Sequence, residues 1–218
     1  MDIKVDKHTV IVFDLDDTLY NEIEYLKSAY KFIANDLDPA NRKSLYRNMF
    51  AKYRKGDNIF QYLANNYKVE VKDLIEAYRN HNPKISLFDD AYQTLTDIKR
   101  KGGNLAIITD GRVKTQMAKI EALGIKGLFS EIIISEALGT EKPNEQNFKV
   151  VEEAMPARIY YYIGDNISKD FVSPNAMGWK TIGLMDNGLN IHCQVDENLK
   201  EEFFPKFLID SYKELNIV

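Results

Sequence analysis

Five short apolar runs punctuate the chain, each ending in polar or acidic residues: VIVFDLD from Val10, NLAIITD from Asn104, EIIISE from Glu131, IYYYIGD from Ile159 and KTIGLMD from Lys180. Between the later ones lie stretches with apolar residues at helical spacing, DDAYQTLTDIKRKG, VKTQMAKIEALGI and NEQNFKVVEEAM. Strands without polar alternation, separated by amphipathic helices, are the pattern of a parallel sheet covered on both faces. The expected class is therefore α/β with a doubly wound parallel sheet. The first of these helices ends at Lys101-Gly102-Gly103, with basic residues in the last turn and glycines after it.

The segment from Tyr20 to Leu87 breaks the alternation. It reads as helix after helix, EIEYLKSAYKFIANDL, PANRKSLYRNMFAKYR, DNIFQYLANNY and VKDLIEAYRN, with turn signals at Asp38-Pro39, Gly56-Asp57 and Asn82-Pro83. No ordinary crossover is that long. Residues 20–87 are expected to form an inserted helical domain, and residues 1–19 and 88–218 the α/β core. Tyr25, Tyr30, Tyr46, Phe50 and Tyr53 fall at helical spacings, and most of them are read as core of the insertion rather than ligand contacts.

Composition narrows the partners. The 218 residues are 44% hydrophobic and 28% charged, which suits a soluble protein with a real core. Lys plus Arg number 29 against 33 Asp plus Glu, a net charge of −4, and so give no electrostatic case for nucleic acid or an anionic membrane. The lone Cys193 excludes an intrachain disulfide and is expected to be a reduced thiol. MDIKVDKHTV is too polar for a signal peptide and no apolar run is long enough to span a bilayer, so a cytoplasmic protein is expected. A monomer or weak homodimer is expected as well.

The chemistry lies at the strand ends, where a doubly wound sheet binds its ligands. The first strand runs into Asp14, Asp16 and Asp17. Two carboxylates about 5 Å apart repel by roughly 3 kcal/mol at an effective dielectric near 20, a cost at the end of a core strand that needs a reason. The second strand offers Thr109 before Asp110 and Gly111. The third is followed by Lys142, before a helix expected to begin at Pro143, and the fourth by Asp165 and Asp170 in GDNISKD.

Plainer readings exist for the neighbours. Thr18 can cap a helix, Asp17 can serve as a backbone donor, and Arg112 and Lys169 read as solvated. His8, His81 and His192 form no pair at metal-ligand spacing. Trp179 reads as packing at a strand start. No GxxxxGK[ST] or GxGxxG is present, which removes the nucleoside-triphosphate and dinucleotide classes.

Taken in order, these motifs resemble the haloacid dehalogenase superfamily, and within it the aspartate-nucleophile phosphatases. FDLDDT matches the family's aspartate-x-aspartate-x-threonine, Thr109 its second motif, Lys142 its third and GDNISKD its acidic fourth. The helical insertion stands where one class of members carries a cap. The resemblance implies Asp14 as nucleophile, Asp16 as general acid and base, and Thr109 with Lys142 as phosphate holders. It implies Mg²⁺ on the Asp14 side chain, the Asp16 carbonyl, Asp165 and, directly or through water, Asp170. Backbone N–H groups around Asp16, Asp17, Asp110 and Gly111 are expected to complete the phosphate cradle.

The implied activity is Mg²⁺-dependent hydrolysis of a small phosphorylated metabolite, a sugar phosphate or nucleoside monophosphate. Arg47, Arg54 and Lys55 can meet a second anionic group or form a solvated face. A dehalogenase would lack Asp16. A phosphomutase shares all four motifs but must exclude water. A receiver domain places its aspartate after a later strand, and a silent binding module would not need the full reactive set.

Overall fold

The computed structural model describes residues 1–192 and 199–218; Cys193 lies outside them. The chain opens with β1 (Asp2–Ile3) and β2 (Thr9–Phe13), followed by α1 (Glu22–Leu37), α2 (Arg42–Tyr53), α3 (Ile59–Tyr67) and α4 (Val71–Asn80). Next come α5 (Ala91–Arg100), β3 (Asn104–Thr109), α6 (Val113–Ala122), β4 (Glu131–Ile134), α7 (Ser135–Leu138), α8 (Gln146–Ala154) and β5 (Ile159–Gly164). The order closes with α9 (Val172–Ala176), β6 (Lys180–Leu184), β7 (Phe207–Ile209) and β8 (Asn216–Ile217). Two compact units result, one of Met1–Glu22 with Ser86–Val218, the other of Ile23–Ile85. Among the described residues no helix is long and apolar enough to cross a membrane.

The first unit holds a six-stranded sheet of order β4-β3-β2-β5-β6-β7, parallel throughout. The expected α/β class and doubly wound sheet are borne out. Chain order runs outward from β2 to β3 and β4, then returns to β5 on the other side of β2. That reversal places the topological switch point at the carboxyl end of β2, where a doubly wound sheet opens its crevice.

Both faces of the sheet are buried, which explains the lack of polar alternation. Val10 and Val12 pack with Ala106, Ile108, Phe148, Tyr162, Phe171 and Trp179 on one face. Phe13, alternating to the other face, meets Phe129 and Tyr212 at ring-centre distances of 6.4 and 6.3 Å. Trp179 is packing, as read, with Tyr160 stacked on it and its Nε1 donating to Glu152 Oε1 at 2.8 Å.

Two local expectations are corrected. The helix after Lys142 begins at Gln146, not Pro143. Asn144 stops the chain short by accepting the Gln146 N–H on its side chain at 2.9 Å, while its own N–H donates to the Glu141 carbonyl. A sixth sheet strand, β7, was not anticipated from FLI, a three-residue edge segment with Phe207 and Leu208 exposed.

Within the helical unit, Tyr25 and Tyr30 are buried with Ile23, Leu26, Ile33, Met49, Leu63 and Leu74. Tyr46, Phe50 and Tyr53 are only half-buried, in contrast to the core expected of most of these rings. They stack along α2 at 6.2 and 6.0 Å, with Lys27 over the Phe50 ring and Lys31 over Tyr46. His81 is structural: Nδ1 pairs with the Tyr78 carbonyl at 2.8 Å and Nε2 with Ser28 Oγ at 3.1 Å. Burial holds its pKa below the usual histidine value despite the Tyr78 bond.

Candidate active site

Asp14 follows β2 directly, and its N–H continues the ladder to the Ile163 carbonyl at 2.9 Å. The fixed backbone points a buried carboxylate at Lys142, whose Nζ lies 2.6 Å from Asp14 Oδ1 and 2.7 Å from Asp170 Oδ1. Tyr162, on β5 three residues before Asp165, places its hydroxyl 3.1 Å from the same ammonium and 3.2 Å from Asp170 Oδ1. Asp170 Oδ2 accepts the N–H groups of Asp165 and Asn166 at 3.2 and 2.9 Å. Asp170 thus ties the loop after β5 to the lysine, and it is fully buried.

Thr18, left aside as a helix cap, is inside the site. Its Oγ1 lies 3.4 Å from Asp14 Oδ2 and 3.3 Å from Asp165 Oδ1. Asn190, in the stretch after β6, donates to Asp165 Oδ2 at 2.9 Å. Asp17 sits in the left-handed region, φ 55°, which aspartate tolerates. Its carboxylate accepts the N–H groups of Glu22 and Ile191 at 2.7 and 2.9 Å.

Asp16 is held differently. Lys119 Nζ lies 2.7 and 2.8 Å from its two oxygens, Gln116 Nε2 donates to Oδ2 at 2.9 Å, and the Tyr20 hydroxyl donates to Oδ1. The same Gln116 amide donates to Thr109 Oγ1 at 2.6 Å. Gly111 backs onto this glutamine at φ +132°, and a Cβ there would come within 3.2 Å of it.

The residues singled out from sequence therefore gather at one end of the sheet. Asp14, Asp16, Asp17, Thr109, Asp110, Lys142 and Asp165 line a crevice together with Glu22, Asn166, Lys169 and His192. Lys169 is a correction: it is paired with Asp110 Oδ2 at 2.9 Å rather than solvated. Asp110 Oδ1 in turn accepts the Lys142 N–H at 3.1 Å. The Gly111 N–H donates to Ser135 Oγ at 2.8 Å. Arg112 is exposed, as read.

Missed entirely were Tyr162, Tyr20, Glu22, Gln116 and Lys119. Gln116 and Lys119 are marked by burial on α6, whose buried side chains are Gln116, Lys119 and Ile120, a mark the fold gives and the sequence alone does not. A helix that turns two polar residues inward at i,i+3 has something polar to meet there.

Electrostatically the site carries an excess of negative charge. Burial pushes the Asp165 carboxyl up to about 9, with the Asp170 and Asp14 charges adding to it. Burial also raises Asp14, against the pull of Lys142. The Lys142 ammonium, despite burial, is held well above its usual range by Asp14 and Asp170. Glu22 is raised to about 8 by burial and by Asp16. Asp16 moves the other way: burial opposes ionisation, but Lys119, Tyr20 and Gln116 together outweigh it.

Asp14, Asp165 and Asp170 each offer one carboxylate oxygen, all within 4.8 Å of one another. Three buried carboxylates against one ammonium, with oxygen-only donors, fit a hard cation.

A protein-family model described as haloacid dehalogenase-like hydrolase matches residues 11–184. The chain belongs to that family. It is 26% identical over 224 residues to the glyceraldehyde 3-phosphate phosphatase of Methanocaldococcus jannaschii, covering 94% of each chain. To the protein of the same name from Methanothermobacter thermautotrophicus it is 30% identical over 192 residues, 79% of this chain and 83% of that one. In fold it resembles the magnesium-bound structure of the HAD-hydrolase YfnB from Bacillus subtilis, with a TM-score of 0.67 at 21% identity over 96% of this chain and 97% of that one.

Proposed function

We propose that the protein is a Mg²⁺-dependent phosphatase that hydrolyses a small phosphate monoester through a phosphoaspartate on Asp14. The observation that carries this is the 2.6 Å pairing of Asp14 with Lys142, inside a cluster whose charge calls for a cation. We read the insertion expected at residues 20–87, which contains the compact unit Ile23–Ile85, as the cap this family inserts after its first motif.

Asp14 attacks phosphorus, the bond to the leaving oxygen breaks, and Asp16, which its partners favour as the carboxylate and which must therefore take up a proton in the substrate complex, gives that proton to the leaving oxygen. Water then attacks the phosphoaspartate, Asp16 takes the water's proton, and the Asp14–phosphorus linkage breaks to release phosphate. Thr109 and Lys142 hold the phosphoryl oxygens in both steps, and Lys142 keeps Asp14 aimed. Asp14, the Asp16 carbonyl and Asp165, with Asp170 directly or through water, would hold Mg²⁺, whose charge would offset the repulsion between nucleophile and phosphate.

The substrate class is a small sugar phosphate. The similarity to two glyceraldehyde 3-phosphate phosphatases, over 94% of one and 83% of the other, supports it. A phosphometabolite panel with Mg²⁺, reading released phosphate, tests both levels. Turnover of triose and other sugar phosphates is expected; no release from any ester overturns the activity, and exclusive release from nucleotides overturns the substrate class.

A further inference from the structure

We infer that Lys119 and Gln116 are positioning residues for the acid–base carboxylate of Asp16, and that Gln116 fixes this carboxylate in register with the phosphate-holding Thr109. The inference rests on the phosphatase reading above and concerns residues that reading leaves without a task.

Both side chains are buried, Lys119 at 3% and Gln116 at 2% relative exposure, and both bond Asp16, with Lys119 Nζ also 4.0 Å from Glu22 Oε1. An aspartate side chain has two torsions to fix, and a proton must be delivered to one oxygen of the substrate. A lysine that meets both carboxylate oxygens within 2.8 Å restrains both torsions. An amide that uses its two hydrogens on Asp16 Oδ2 and Thr109 Oγ1 sets the distance between the acid–base group and a phosphate ligand.

The arrangement is built into α6, which places the two residues one turn apart on its inward face. Gly111 backs onto the Gln116 side chain, where an added Cβ would sit a tight 3.2 Å from it. Burying a lysine this deeply costs several kcal/mol unless its partner compensates, so packing alone does not account for it. A misplacement of about 1 Å at an acid–base group costs on the order of 10²-fold in rate.

The test uses leaving-group dependence, which a general loss of folded protein does not change. On the full chain with Mg²⁺, Lys119→Met should lower kcat for glyceraldehyde 3-phosphate at least about 10-fold. The first nitrophenol released from nitrophenyl phosphate, which needs no proton from Asp16, should keep a rate within about threefold of wild type. Lys119→Arg should recover part of the loss. Gln116→Leu should show the same selectivity and also weaken competitive inhibition by inorganic phosphate, which Lys119→Met should leave unchanged.

Equal losses on both esters, or none, would overturn the proposal. If Lys119→Met does not fold, Gln116→Leu alone decides by the same two ratios. A wild-type protein that hydrolysed neither ester would overturn the phosphatase reading and the proposal with it.

Discussion

Gly164 and Asp170 share a space that admits only one of their side chains. A Cβ on Gly164 would lie 2.5 Å from Asp170 Oδ2 and 3.0 Å from the Tyr162 ring. Asp170 cannot retreat, because its oxygens are engaged by Lys142, Tyr162 and the N–H groups of Asp165 and Asn166. The glycine before the fourth motif is therefore a condition for placing the lysine.

Gly164→Ala should consequently act at a distance. Overpacking at a closed site costs roughly 1–3 kcal/mol, and the displaced Asp170 should take Lys142 out of line with Asp14. A loss of at least about 10-fold in kcat is expected, with Tm lowered by several degrees, roughly 2–4 °C per kcal/mol for a chain of this size. Wild-type kinetics in this variant would show that Asp170 does not control Lys142.

Lys142→Met keeps much of the volume and removes the only ammonium within reach of both Asp14 and Asp170 among the described residues. The rate should fall at least about 10²-fold, since the group faces a transferring phosphoryl. Removing one partner of a buried pair also costs roughly 3–5 kcal/mol when the other stays charged. That cost fades in acid, where the carboxyls take protons. The Tm deficit of the variant should therefore be larger at about pH 8 than at about pH 5. A rate within a few-fold of wild type would make Lys142 a packing residue.

The metal site gives a prediction whose sign follows from Asp165. A carboxyl held up to about 9 in the fold keeps its proton longer there than in the unfolded chain, where its pKa is about 4. The metal-free protein therefore loses stability as pH rises across that window. A cation favours the ionised form and displaces the protons. Mg²⁺ at about 100 times its Kd should add roughly 2.7 kcal/mol, and the gain in Tm should be larger near pH 8.5 than near pH 6. Chelation should abolish activity, Mg²⁺ should restore it, and Ca²⁺ should restore it poorly. Full activity after exhaustive chelation would remove the cation from the reaction.

Much of this was legible in the sequence for one physical reason: a charged residue at the end of an uninterrupted apolar strand has no solvation motive to be there. Asp14 and Asp165 stand out on that ground, Lys142 and Asp170 by following such strands in the order of the motifs, and all five apolar runs became strands. Lys119 and Gln116 did not stand out, because a lysine and a glutamine at helical spacing look like a solvent face. Only the fold reveals that this face of α6 turns towards Asp16. Tyr162 was hidden by the opposite effect, an apolar run in which its hydroxyl, 3.1 Å from Lys142, reads as more core. The strand β7 escaped because three residues with two exposed side chains carry no period.

The two tasks assigned to Asp16 can be separated by its amide. Asparagine neither gives a proton to a leaving group nor takes one from water, so Asp16→Asn should be slow on alkyl phosphates, where both steps need help. Nitrophenolate departs without protonation, so with nitrophenyl phosphate the first step should survive better than the second. Phosphate should then accumulate on Asp14, with a burst of nitrophenol approaching one per site and slow turnover after it. Asparagine keeps the shape of the side chain but offers Lys119 a neutral oxygen in place of the carboxylate now 2.7 Å away. Some loss of stability should accompany the burst without changing its amplitude per folded site. Mass spectrometry of the acid-quenched variant locates the label. Normal turnover of alkyl phosphates, or a burst that labels a residue other than Asp14, would overturn both role assignments.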